Sequence, residues 1–446
     1  MTDTNNPNTM SNQTSIFMEQ PDTGNSVVDC PDLIIKKLFL RPEHVVLISE
    51  VSSKPLIIAV ASQVRKVYLL LHPDAKPSLM DDIAGLKNVE LLVTGEGELQ
   101  IPEESMDVVI AAIPADRKNV LLQYIKSLSA MLRPAGRLVT LLNELLTPPW
   151  KLEDDQVKNL LRKAGLVNTI VMNEPSFEST LVGFGTKKVE GARSSVRKHY
   201  QSLAEGSSCC EDSGSSCCGA SSSCCCGSDE MDSAITFNTG YSIEDIQPLP
   251  EESTNLTLGC GNPIARANLQ RGECVLDIGS GAGTDVLLAA RVVGEQGFVV
   301  GVDMTPAMLE RALLSAQKNN VTNVEFKSGH AESLPLDNNS FDVVISNCVI
   351  NLCEDKGKVF EEIFRVLRSG GRMVISDIVT DGDLPLEARL EAAGWAGCIS
   401  GALPHLEYID LMLGAGFVVD DIQQGISGGI MGDTQVYSLE IIARKP

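Results

Sequence analysis

An internal repeat is the feature that most limits how this chain of 446 residues can fold. MDVVIAAI at 106–113 is followed by MLRPAGRLVTLL at 131–142, and FDVVISNC at 341–348 is followed, at the same spacing, by VLRSGGRMVISD at 366–377. In each half, apolar runs of strand length alternate with polar stretches of helical length, which is typical of a parallel sheet covered by helices. The sequence therefore predicts two diverged copies of one α/β domain.

Composition divides the chain into four segments. Residues 1–30 are polar, without the basic start and apolar run of a signal peptide, and predict a disordered leader on a cytoplasmic protein. The first copy occupies 31–190, and a short helix and a flexible tract rich in cysteine, serine and glycine occupy 191–235. The second copy occupies 236–446. The tract holds seven of the 13 cysteines in a composition that cannot form a core.

Charge and hydropathy exclude two classes of partner. The formal net charge is −23 and the sequence shows no basic cluster, so phosphate backbones and anionic lipid surfaces would be repelled. No stretch approaches the roughly 18 consecutive apolar residues of a membrane-spanning helix. We expect no nucleic-acid partner and no membrane partner. Because disulfide frameworks are uncommon in the cytoplasm, the 13 cysteines indicate metal, metalloid or redox chemistry.

The second copy contains a glycine turn in CVLDIGSGAGTDVLLAA. A strand, a tight turn and a helix in this order are typical of a Rossmann-type nucleotide site. Gly279, Gly281 and Gly283 would let the backbone turn sharply and approach a ligand where a Cβ atom would clash. Asp303 ends the next apolar run and is placed to accept hydrogen bonds from two ribose hydroxyls. The alternative is a tight turn between strand and helix without a ligand.

With the later segment LPLDNNSFDVVISN, this motif resembles the class I methyltransferases that use S-adenosylmethionine, rather than the NAD dehydrogenases. The resemblance implies two tandem Rossmann-like domains of the α/β class and S-adenosylmethionine as cofactor. In the GHAES turn, which should touch adenine, His330 stands where the family often has a carboxylate, and Glu332 is nearby. Asn347 could line the pocket or cap a strand end. The predicted cofactor residues are Asp277, Gly279, Gly281, Gly283, Asp303, Met304, Glu332 and Asn347.

The first copy lacks the glycine turn. It reads SEVSSKPL at the corresponding position, without a glycine between Glu50 and Leu56, so the backbone could not approach a cofactor closely. This predicts a degenerate methyltransferase-like domain. The segment resembles the N-terminal domain of anamorsin, although the Cys-x-x-Cys motifs of that family's C-terminal region are missing here. We expect a docking or stabilising role, with a protein partner as an open alternative.

Three cysteines of the second copy fall around the predicted carboxyl ends of its strands or on segments able to cover them, and open α/β sheets bind ligands at those ends. Cys260 precedes the first strand, Cys348 follows FDVVISN, and Cys398 lies in WAGCISGAL. These three can converge beside the cofactor. The alternative for each is a small buried hydrophobic residue. Cys353, at the start of a helix, is expected to be an incidental, partly exposed thiol.

Residues from about 194 to 446 resemble the arsenite methyltransferases. The segments that carry the resemblance include VRKHY, LTLGCGNP, SNCVINL and WAGCISGAL. The resemblance implies that Cys260, Cys348 and Cys398 bind trivalent arsenic and that Cys209 or Cys210 supplies a further thiol. It implies arsenite or its glutathione conjugate as substrate. A disulfide would form between rounds of methylation and be reopened by a thiol reductant, thioredoxin or glutathione.

Two other interpretations stay open. The chain could methylate another small molecule, in which case Cys348 and Cys398 would not be needed for turnover. It could instead be a thiol-rich metal or iron–sulfur carrier related to anamorsin, and would then have no use for an intact glycine turn. A zinc site is poorly supported, because the sequence contains no Cys-x-x-Cys pairs and only five histidines.

Overall fold

The computed structural model describes residues 31–49, 51, 53–71, 83, 85–93, 101–113, 121–143, 152–174, 180–205, 259–391, 394–395 and 397–446. The predicted leader at 1–30 and the cysteine-rich tract lie outside the described residues. Among the helices that are described, none is both long and apolar enough to cross a membrane.

The first copy forms a mixed sheet of seven strands in the order β3-β2-β1-β4-β5-β7-β6. Strands β1 to β5 run parallel, and β7 lies antiparallel between β5 and β6. The strands are β1 Val45–Ser49, β2 Lys66–Leu71, β3 Val89–Val93, β4 Met106–Ala112, β5 Leu132–Asn143, β6 Leu166–Glu174 and β7 Thr180–Lys187. The helices of this copy are α1 Pro31–Leu38, α2 Lys54–Ala61, α3 Leu121–Met131 and α4 Asp154–Lys163, and α5 Ala192–Glu205 follows it as the predicted short helix.

The second copy repeats this topology in the order β10-β9-β8-β11-β12-β14-β13, which confirms the predicted fold class. The strands are β8 Cys274–Ile278, β9 Phe298–Asp303, β10 Val324–Ser328, β11 Phe341–Asn347, β12 Leu367–Thr380, β13 Val418–Met431 and β14 Thr434–Arg444. The helices are α6 Pro263–Ala267, α7 Thr284–Val293, α8 Pro306–Lys318, α9 Lys356–Val366, α10 Leu386–Leu390 and α11 His405–Gly414, and a 3-10 turn spans Ile350–Leu352.

The two copies also share a local contact that explains why the aspartate recurs in MDVVIAAI and FDVVISNC. The carboxylate of Asp107 accepts a hydrogen bond from the backbone N–H of Val45 at 2.7 Å, and Asp342 accepts one from Cys274 at 2.8 Å. In both copies this aspartate is the second residue of a central strand and joins it to the neighbouring strand. The repeat therefore preserves how each sheet is assembled.

Apolar packing joins the two domains. Ile170, on the edge strand β6 of the first sheet, is buried within the main core of the second domain, and Met172 and Phe184 pack against the same core. Asn168 accepts a hydrogen bond from the backbone N–H of Lys356 at 2.8 Å, at the start of α9. The first domain thus contacts the helix that follows the predicted cysteine site.

Candidate active site

A cleft opens at the carboxyl ends of β8, β9 and β11, where the topology predicts a ligand site. The glycine turn forms one wall, with φ angles of +72° at Gly279 and +50° at Gly281. These values lie in the left-handed region, which favours glycine. A Cβ atom on Gly279 would also lie 2.3 Å from a methyl carbon of Val349, which lines the same cleft. Gly279 and Gly281 therefore form the sharp backbone turn that the sequence motif predicts.

Asp303 anchors the turn and faces the cleft. Its two carboxylate oxygens accept hydrogen bonds from the backbone N–H groups of Gly281 at 3.0 Å and Thr305 at 2.8 Å. Burial raises the pKa of Asp303, against the lowering effect of these hydrogen bonds. Burial also raises the pKa of Asp277 well above its ordinary value, with further contributions from Asp285 and Asp303. A cationic ligand in the cleft would stabilise this acidic wall, and S-adenosylmethionine carries a sulfonium and an ammonium group.

Helix α5, which leads into the cysteine-rich tract, covers the cleft with two residues that sequence reasoning missed. Arg193 donates to Glu332 at 2.7 Å, so the carboxylate predicted to meet adenine is already ion-paired. Tyr200 hydrogen-bonds the side chain of Cys398, and burial raises its pKa well above the ordinary value. Both residues line the cleft. The segment VRKHY, which contains Tyr200, contributed to the family resemblance, but no residue in it was predicted to have a role at the site.

The thiols of Cys260, Cys348 and Cys398 lie in one buried cluster beside this cleft. Both other thiols are close enough to Cys348 to contribute to the raised pKa of its thiol, after burial. The Cys398 thiol donates to the backbone carbonyl of Cys348 at 3.0 Å. The three predicted residues therefore converge. Among the described residues, however, no three His, Cys, Asp or Glu side chains form a ready-made metal site.

Two of these cysteines have an unusual backbone. The φ angles are +59° at Cys348 and +64° at Cys398, in the left-handed region that non-glycine residues rarely adopt. Such a conformation costs about 1–3 kcal/mol and persists only where the surroundings enforce it, often at functional sites. Two adjacent thiols held this way favour a functional cluster over three independent core residues.

Asn347 fixes the loop that carries Cys260. Its side-chain oxygen accepts the N–H of Cys260 at 3.0 Å, and its side-chain nitrogen donates to the carbonyl of Gly261 at 2.8 Å. A Cβ atom on Gly259 would lie 2.2 Å from the Asn347 amide, so the flanking glycine permits this close approach. Asn347 also lines the cleft. Asn347 therefore joins the Cys260 loop to the end of β11 at the edge of the cleft.

Burial keeps two thiols of the cluster, Cys260 and Cys348, protonated near neutral pH. It raises the pKa of Cys260, and it raises the pKa of Cys348 well above the ordinary value, with added contributions from the Cys260 and Cys398 contacts. Under the cluster, burial raises the pKa of Asp377 to about 7, although Tyr408 donates to its carboxylate at 3.0 Å. Cys260 and Cys348 are therefore neutral thiols in an enclosed site.

The remaining predicted residues have three outcomes. Met304 lines the cleft, whereas Gly283 lies behind it at the start of α7, where its Cβ would lie 3.1 Å from Ala312. Cys209 and Cys210 lie outside the described residues. The expectation of an exposed Cys353 is wrong: its side chain is buried and lines the cleft, because the turn after β11 folds inward.

Strand register shows what the first copy has in place of the cofactor residues. Val46 pairs with Val108 as Val275 pairs with Val343, which aligns β1 with β8. The residue aligned with Asp277 is then Ile48, and by the pairing of β2 and β9 the residue aligned with Asp303 is Leu71. Both replacements are apolar and buried. They remove the acidic groups that face the cleft in the second copy.

The second copy is similar to known methyltransferases. Residues 269–435 match a family model described as a methyltransferase domain. The arsenite methyltransferase of Halobacterium salinarum is 42% identical over 214 residues, 48% of this chain and 54% of the relative. The human arsenite methyltransferase is 38% identical over 184 residues, 39% of this chain and 48% of the relative. The crystal structure of an arsenic(III) S-adenosylmethionine methyltransferase from Chlamydomonas reinhardtii is 35% identical, with a TM-score of 0.41, over 46% of this chain and 72% of that chain.

The family match places a methyltransferase domain in the second copy, and the sheet order and the glycine turn with Asp303 agree with that class. The chain spans about half the length of the curated relatives it matches. Within this class it resembles the arsenite methyltransferases, as its sequence predicted.

Proposed function

We propose that this chain methylates trivalent arsenic held by Cys260, Cys348 and Cys398. The observation that carries the proposal is the position of the thiol cluster beside the cofactor cleft, where Cys348 belongs to both. Similarity to arsenite methyltransferases supports the same substrate. A carrier without catalysis would not need the glycine turn or the acidic wall.

The chemistry of the donor set fits arsenite. Arsenite is uncharged near neutral pH, and each of its three hydroxyls can leave as water by taking the proton of one thiol. Each of the three thiols would give one proton, and burial, which raises the pKa of Cys260 and Cys348, keeps that proton on these two. Soft thiolate ligands suit a soft, thiophilic centre. Three As–S bonds would leave the arsenic lone pair on the remaining side as the nucleophile.

The cleft residues hold the methyl donor. Asp303 would accept the ribose hydroxyls, the turn at Gly279 and Gly281 would admit the close approach of the ligand, and Asp277 would face positive charge. When bound, S-adenosylmethionine supplies an electrophilic sulfonium methyl group. No general base is needed, because the arsenic carries no proton. The protein accelerates transfer mainly by positioning the two centres.

Methylation by this route oxidises arsenic formally from the trivalent to the pentavalent state. Two thiols can return two electrons by forming a disulfide and releasing two protons, and thioredoxin or glutathione can reopen that disulfide by exchange. Cys209 or Cys210, at the start of the cysteine-rich tract, would supply a thiol for this cycle. Arsenite or its glutathione conjugate would enter as substrate.

Arsenite protection of the thiols tests the proposal without turnover. The protein is incubated with and without arsenite, alkylated with iodoacetamide, and each cysteine is quantified by peptide mass spectrometry. We expect protection of Cys260, Cys348 and Cys398, with Cys274 unchanged as the control. Equal alkylation of the three thiols in both samples would contradict the proposal.

A further inference from the structure

A buried charge cluster lies between the two domains. Arg137, on β5 of the first domain, donates from Nη2 to Oδ1 of Asp383 at 3.1 Å and to Oε2 of Glu407 at 2.8 Å, both in the second domain. Arg389 donates to Oδ2 of the same Asp383 at 2.8 Å. The Arg137 and Asp383 side chains are only 7% and 3% exposed. Two cationic and two anionic groups therefore balance one another in a site with little access to water.

The repeat explains why Arg137 is available for this role. Arg137 and Arg372 occupy equivalent positions, because each pairs with the equivalent residue of the neighbouring strand. Arg372 stays within its own domain and pairs with Glu273 at 2.8 Å. The register places His44 in the first copy where the second has Glu273. Histidine has no anionic form near neutral pH, so this position offers Arg137 no carboxylate, and the guanidinium binds the carboxylates of the second domain instead.

The cluster connects to the thiol site through the described residues of the segment from Asp383 to Cys398. The backbone carbonyl of Arg389 accepts a hydrogen bond from Nε1 of Trp395 at 3.0 Å. The carbonyl of Trp395 accepts one from the N–H of Cys398 at 3.1 Å. Arg389 also donates to the carbonyl of Ala135 in the first domain. A series of hydrogen bonds therefore runs from Arg137 in the first domain to Cys398 in the second.

We propose that Arg137 is a positioning residue for Cys398 and that the first domain serves the active site by holding this segment in place. The assignment of Cys398 to arsenic rests on the proposed function, but its placement by Arg137 does not. Without Arg137, the buried carboxylates of Asp383 and Glu407 would share the single charge of Arg389. An uncompensated buried charge is strongly unfavourable, so the segment should move toward water and carry Cys398 away from Cys348.

Cysteine alkylation in the full-length protein tests this placement. Arg137→Gln is compared with wild type and with Arg133→Gln, a matched control because Arg133 pairs with Asp107 inside the first domain at 3.0 Å. Arg137→Lys is a second variant that keeps the positive charge and protects against misfolding, although an ammonium group cannot replace the planar fork of arginine. Iodoacetamide labelling of each cysteine is followed over time by mass spectrometry.

We expect Cys398 in Arg137→Gln to react at least tenfold faster than in wild type, and several-fold faster in Arg137→Lys. Cys274 should stay within twofold in both variants, and the control should behave as wild type. The KM for arsenite should rise at least fivefold in Arg137→Gln, while the Kd for S-adenosylmethionine stays within twofold.

An unchanged Cys398 rate in either folded variant would overturn the proposal. So would equal acceleration of Cys274, because that would indicate general loosening. If wild type forms no methylated arsenic, the proposed function fails, and the labelling result still decides whether Arg137 positions Cys398.

Discussion

Gly279→Ala should separate cofactor binding from folding. Gly279 has φ = +72°, and an added Cβ would lie 2.3, 2.5 and 2.9 Å from three carbons of the Val349 side chain. Real Cβ atoms essentially never approach another heavy atom this closely, so the turn or Val349 must move. Since both line the cleft, either movement changes the cofactor site.

The structure sets the size of the effect. A left-handed backbone costs a residue with a Cβ about 1–2 kcal/mol, and forcing an extra methyl group into packed surroundings costs about 1–3 kcal/mol. The total is about 2–5 kcal/mol. If about 1.4 kcal/mol of this cost weakens cofactor binding, the Kd rises tenfold. We therefore expect the Kd for S-adenosylmethionine to rise at least tenfold.

Isothermal titration calorimetry of the folded variant measures this Kd, and Gly272→Ala is the matched control. Gly272 has φ = +90°, and a Cβ there would have no described atom within 4 Å. It does not line the cleft. The control should lose stability, with a Kd within twofold of wild type. A Gly279→Ala protein that binds with unchanged affinity would refute the role given to the turn.

Three further outcomes follow from contacts at the site. Asp303→Ala removes the acceptor for Gly281 and Thr305, so calorimetry should show at least tenfold weaker binding of S-adenosylmethionine, and a change under twofold would contradict this. Asn347→Leu frees the Cys260 loop, and iodoacetamide should label Cys260 several-fold faster; an unchanged rate would show that the loop is held elsewhere. Burial raises the pKa of Asp377 from 3.8 to about 7, so from about pH 4 to about pH 7 the folded state retains a proton that the unfolded state loses. The free energy of unfolding of the wild type should therefore fall relative to that of Asp377→Asn by about 1.4 kcal/mol per pH unit as the pH rises through this window. Urea unfolding at several pH values measures both free energies, and a constant difference between them would contradict the raised pKa of Asp377.

The sequence was most informative where chemistry depends on neighbours along the chain. Gly279 and Gly281 belong to one local turn, and Asp303 ends the next strand, so their meeting follows from the parallel topology alone. The same rule brought Cys348 to the cleft. The repeat predicted two sheets of one topology, because strand patterns and their spacing survive divergence.

Contacts between distant elements could not be predicted in this way. Arg137 and Asp383 are 246 residues apart, and only the docking of two domains brings them together. Arg193 and Tyr200 reach the cleft because α5 crosses it, which helical periodicity does not specify. The inward turn that buries Cys353 depends on tertiary packing, since a short polar segment can face either way.

Product analysis shows whether the chain transfers methyl groups to thiol-bound arsenic. Wild type, Cys348→Ser, Cys398→Ser and the control Cys274→Ser are incubated with arsenite, S-adenosylmethionine and a thiol reductant, and arsenic species are identified by chromatography with mass spectrometry. We predict methylated arsenic from wild type and the control, and none from the other two variants. Wild-type rates in Cys348→Ser or Cys398→Ser, or no methylated arsenic from a wild type that binds S-adenosylmethionine, would rule out the proposed reaction at these thiols.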